Sequence, residues 1–161
     1  MSEYEIVSAS LYAVQSLVLI VVLVVYAKQL SQMRQQVAAA RHASEAQNLL
    51  ALAGFLQAED VRGARGVVIR QLEGRDHNTW SEDENRAAAK VCSSYGTAGV
   101  VLEAGTVPEA PFLDNWGPSI RRCHTILGAF IVDRRKQMHP TYWAVFDRLA
   151  KRASDRLTRA V

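Results

Sequence analysis

Four histidines and two cysteines are the residues of this 161-residue chain best suited to holding a metal or attacking a substrate. His42, His77, His124 and His139 fall in no HxxxH, HExxH or zinc-finger spacing, so no metal site is expected. Cys92 and Cys123 do not form a CxxC pair, and two thiols are too few for a disulfide scaffold. Cys123 and His124 are adjacent, and on a helix neighbours point about 100° apart, so they cannot act as nucleophile and base on one face. Cys92 lies on an apolar stripe and reads as core. A meeting of Cys92 with His124 across two helices is the nucleophilic arrangement left open. The acids of "SEDE" at residues 81–84 suit the first turn of a helix, where they oppose its dipole. Residues 62–66, "RGARG", have no strand before them and no GK[ST] after them, so their glycines imply close helix packing rather than a phosphate loop. No catalytic residue, cofactor or small-molecule substrate is expected, and the chain is read as a non-enzyme.

The elements that would position these residues are helical. Residues 7–27 carry no charge. At a rise of about 1.5 Å per residue they reach roughly 30 Å, the hydrocarbon thickness of a bilayer. The amino end "MSEYEI" is acidic, where a signal peptide has basic residues. The segment is therefore expected to be a retained transmembrane anchor, with Leu17 inside it and Tyr26 at its interface. Lys28, Arg34 and Arg41 follow it and no base precedes it, which predicts an external amino terminus. The expected location is then the inner (plasma) membrane, single-pass, with a cytoplasmic carboxyl domain and the bilayer as first partner. Past Lys28 the helix continues as a stalk. Leu30, Met33, Val37 and Ala40 recur at spacings of three and four, a coiled-coil-like seam where copies or another membrane protein could meet. Gln15 could hydrogen-bond a neighbouring helix within the same association.

The expected organisation is an anchor over 1–27, a stalk over 28–48 and a helical bundle over 49–161. Leu49, Leu52, Leu56, Ala64, Val68 and Leu72 form the first bundle stripe, with a break near residues 57–60 or at Gly63 and Gly66. Ser81 and Glu84 match a capping box that starts a helix. Its stripe is Ala88, Val91, Cys92, Tyr95, Ala98 and Leu102, and Gly105 is its expected stop. Residues 106–119 read as a loop with one short turn, and Pro118 suits the first position of the next helix. That helix carries Ile120, Cys123, Leu127 and Phe130. A last helix, opened at Pro140, carries Tyr142, Phe146, Leu149, Ala153 and Leu157. The fold class is all-α: one transmembrane helix, a stalk and a bundle of about four helices.

Charge is unevenly placed. Residues 42–120 hold 6 basic and 11 acidic groups, whereas residues 121–161 hold 10 basic and 3 acidic. Arg148, Lys151, Arg152 and Arg156, with Trp143 alongside, lie on the last helix as a possible contact for a membrane surface or a partner. The alternative is that its aromatic face packs in the bundle and its arginines are solvated or pair with acids of residues 73–84. The stripes also allow head-to-tail pairing between copies. No recognised nucleic-acid-binding fold is present, so nucleic acid is not an expected partner.

Three stretches resemble an uncharacterised bacterial family of small membrane-anchored proteins, a domain of unknown function. They are the amino-terminal span running into "RQQVAAARHASEAQNLLAL", "RGARGVVIRQL", and the carboxyl half with Trp116, Ile120, Arg122, Arg134, Arg135, Tyr142, Trp143, Phe146 and Leu149. The resemblance implies the architecture and no activity. The expected function is a membrane-anchored, self-associating interaction module. The alternatives are a membrane-active effector, toxin-like or of phage defence, and a cytoplasmic-face enzyme.

Overall fold

The computed structural model describes the backbone of residues 3–159 and the side chains of residue 15 and residues 19–159. The all-α expectation agrees with it: five α-helices account for most of these residues, and no strand occurs among them. They are α1 (Glu3–Gln57), α2 (Glu59–Val67), α3 (Glu82–Glu103), α4 (Glu109–Gln137) and α5 (Ala144–Arg159). The chain divides into two compact units, Met1–Ser44 and Glu45–Val161.

The membrane expectation is corrected. No helix among the described residues is long and apolar enough to cross a membrane. Past residue 26 the helix turns polar, with Lys28, Gln29, Gln32 and Arg34. Tyr26, Lys28 and Arg34 are exposed positions on a long helix. The side chain of Leu17, and those of 7–14, 16 and 18, lie outside the described residues. The transmembrane helix, the single-pass arrangement and the inner-membrane location are therefore withdrawn.

In the second unit the core was largely marked by the stripes. Leu52 and Leu56 at the end of α1, Val61 and Ala64 of α2, and Val68 and Leu72 beyond it are buried. α1 ends where Ala58 turns extended, at φ −51° and ψ 140°. Glu59 and Asp60 then sit in the first turn of α2, at the positive end of its dipole. Residues 68–72 continue as a π-helical turn. The capping box forms as expected: Ser81 Oγ accepts from Glu84 N–H, and Glu84 Oε2 accepts from Ser81 N–H at 2.7 Å. The whole α3 stripe is buried, and Gly105 stops the helix at φ 68°.

Two boundaries differ from expectation. α4 begins at Glu109, directly after Pro108, so the expected loop is helix and Pro118 lies inside α4. Proline in a helix interior forfeits one backbone bond and costs about 3 kcal/mol. Burial on both sides outweighs that cost, since Phe112, Leu113, Trp116 and Ile120 all enter the core. α5 starts at Ala144, after a turn that contains Pro140. Trp143 closes that turn at φ 57°, a left-handed conformation rare for a bulky side chain. Phe146, Leu149, Ala150 and Ala153 of α5 are buried against α3 and α4. Glycines make that seat. A Cβ on Gly99 of α3 would lie 2.6 Å from Val145 Cγ1, and one on Gly117 of α4 would lie 3.7 Å from Ala153 Cβ.

Candidate interaction surfaces

In the first unit, α1 carries an exposed apolar stripe. Leu30, Met33 and Val37 are 56, 60 and 68% exposed. With Arg34, Ala38 and Arg41 they line a shallow groove along the helix. Ala40 is exposed on the same side. Upstream, Leu19, Leu23 and Tyr26 are exposed as well. Their spacing of four and three residues continues the pattern of residues 30–40. The even apolarity of residues 17–26 hid that register in the sequence. Gln15 is exposed on the same helix. Solvent-facing apolar groups on this scale mark interaction sites.

In the second unit, the basic face of α5 is engaged within its own chain. Arg148 donates through Nε and Nη2 to Glu103, at 2.8 and 3.0 Å. Arg152 does the same to Glu109 at 2.6 and 2.5 Å, and Arg156 to Asp114 at 2.8 and 2.9 Å. The three arginines are spaced by four, so they stack on one helix face. Their partners lie at the end of α3 and the start of α4. These guanidinium bonds hold the Glu103, Glu109 and Asp114 carboxyls below the usual carboxylate range and raise the arginines. Pairing with acids was one of the two sequence readings, but the acids are these three and not those of residues 73–84. Within residues 73–84, Glu84 pairs with Arg75 of the same stretch and Glu73 with Arg122 of α4. Lys151 is exposed. Trp143 is half-buried: its ring stacks on Phe130 and Tyr142, and its Nε1–H donates to Ser93 Oγ at 3.3 Å.

The groups singled out for chemistry take structural positions. His124 Nε2 lies 2.9 Å from Asp147 Oδ1, and Arg135 donates to the other oxygen of the same carboxylate. Arg135 Nε–H also holds the Tyr142 carbonyl, at 2.8 Å, so this cluster fastens the turn between α4 and α5. Cys92 and Cys123 are fully buried. Burial pushes the Cys92 thiol strongly up and the Cys123 thiol up to about 11, which keeps both protonated. Tyr95 shares a hydrogen bond of 2.9 Å with Ser119, and burial moves its phenol up to about 12. Asp83 pairs with Arg86, and no cluster of three metal-ligating residues occurs among the described residues. In residues 62–66, Arg65 reaches inward to the Leu56 carbonyl at 3.1 Å and lies over the Trp116 ring.

Residues 11–153 match the family described as Domain of unknown function (DUF4760), and the chain belongs to that family. No curated protein and no solved structure matches the chain.

Proposed function

We propose that the protein is a self-associating interaction module in which α1 makes the contact and residues 45–161 form the presented body. The observation that carries this reading is the row of large apolar side chains left in solvent on one side of α1, Leu30, Met33 and Val37 above all. Their exposure costs about 25 cal/mol per Å² relative to a covered state, so a partner that buries them is favoured. The body supports the reading in a second way. Its charged ladder is closed on itself, since Arg148, Arg152 and Arg156 pair with Glu103, Glu109 and Asp114.

Light scattering on the full chain tests this. The expected result is a mass at least twice the 17.8 kDa of one chain, returning to 17.8 kDa in the double variant Leu30→Glu, Val37→Glu. Both positions are exposed, so their substitution should leave folding nearly unchanged. A wild-type mass of one chain at every concentration reached would overturn the reading.

A further inference from the structure

The stripe on α1 has a register. Leu19, Leu23, Tyr26, Leu30, Met33, Val37 and Ala40 follow one another at spacings of four and three in strict alternation. That places Leu23, Leu30 and Val37 at a positions and Leu19, Tyr26, Met33 and Ala40 at d positions of three consecutive heptads, about 33 Å of helix. Every one of these side chains is exposed. From Lys28 onward they are the only large apolar groups on the helix up to Arg41, because Ser31, Gln32 and Gln35 occupy the outer face. The flanks are then fixed: Val22, Gln29 and Gln36 fall at g, and Ile20, Ala27, Arg34 and Arg41 fall at e.

From these flanks we infer that α1 pairs with α1 of a second copy in parallel and in register. The inference rests on the association proposed above and adds its direction and alignment. In a parallel pair each g residue faces the e residue of the following heptad on the other strand. Val22 then meets Ala27 of the second copy, Gln29 meets Arg34 and Gln36 meets Arg41. Apolar groups face apolar groups, and each amide oxygen can accept from a guanidinium. An antiparallel pair over the same stripe sets e against e. Arg34 would then face Ala27, charge against hydrocarbon. Chemical matching at the flanks selects the parallel arrangement.

Single cysteines distinguish the two directions. Val37→Cys and Leu23→Cys are made separately in the full chain and oxidised mildly. The wild type is the control, since Cys92 and Cys123 are buried and remain protonated. Parallel pairing puts each new cysteine against its own copy, so each variant alone should become a covalent dimer. Met33→Cys, at a d position, should do the same and guards against a local effect of one substitution. In an antiparallel pair a positions face d positions, so with Arg34 against Ala27 residue 37 faces residue 26; crosslinking only on mixing Val37→Cys with Tyr26→Cys overturns the direction and leaves self-association standing. An assembled mass with no crosslink in any variant also overturns this inference. A one-chain mass for the uncrosslinked protein overturns the association itself.

Discussion

Gly99 shows how a single hydrogen in place of a methyl sets a helix contact. Its Cα faces Val145, whose Cγ1 would be 2.6 Å from an added Cβ and whose carbonyl oxygen would be 3.3 Å away. Gly99→Ala gains about 1 kcal/mol of helix propensity. It also forces overpacking against a β-branched side chain, at about 1–3 kcal/mol. The net effect should be a loss of up to about 2 kcal/mol, measured by denaturant unfolding, with Val145→Ala restoring most of it in the double variant. A stabilised Gly99→Ala would show that α5 is not held at this distance. At this scale much was legible. The α3 stripe, the Ser81 cap and the Gly105 stop follow from spacing and side-chain chemistry alone, and all three are found. The role of Gly99 was not legible, because a glycine in a helical stripe does not say what approaches it.

The charged ladder belongs to the scale of elements. It joins α5 to the end of α3 and the start of α4 through pairs 42–45 residues apart in the chain. The three carboxyls are depressed below their ordinary values, 4.5 for Glu and 3.8 for Asp. A depressed carboxyl contributes stability that is fully present above the unfolded value and is lost as pH falls through the folded one. Thermal stability should therefore hold steady from neutral pH down to about pH 5 and decline below it. Replacing Arg148, Arg152 and Arg156 by Gln should lower the neutral-pH midpoint modestly and flatten the acid decline, as should added salt. An acid decline of unchanged steepness in the triple variant would remove the ladder as its source. Sequence reading found the cations and their face, yet it named the wrong acids. Pairs this distant depend on how three helices pack, and local charge density, highest at residues 81–84, pointed elsewhere. The extended α4 has a similar cause: Pro108, Pro111 and Pro118 read locally as a loop, and burial of Phe112, Leu113 and Trp116 overrides them.

At the scale of the whole molecule, two kinds of surface are divided between two stretches of chain. Residues 45–161 have their own buried core, and residues 19–40 carry the uncovered stripe. All three tryptophans, Trp80, Trp116 and Trp143, belong to the body. Tryptophan fluorescence should thus follow unfolding of the body alone. At a fixed low concentration, the Leu30→Glu, Val37→Glu variant should give the wild-type fluorescence transition while its mass falls. A shifted midpoint would mean that the stripe also stabilises the body. The all-α class and most core residues could be read from periodicity. The membrane reading is overturned because no helix among the described residues is long and apolar enough to cross a membrane. Residues 19–26 conceal a heptad phase that only becomes visible once Leu30, Met33 and Val37 anchor it. One consequence concerns alignment. A ladder of arginines four apart is a ruler with identical marks: sliding α5 by one turn would bring Arg152 to Glu103 and Arg156 to Glu109, keeping two rungs of three. Charge selects the face and sense of α5 but tolerates such a slip. The notch at Gly99 does not, since the slip would present Leu149 where Val145 now fits. The missing methyl, and not the salt bridges, is what tells the helix where to stop.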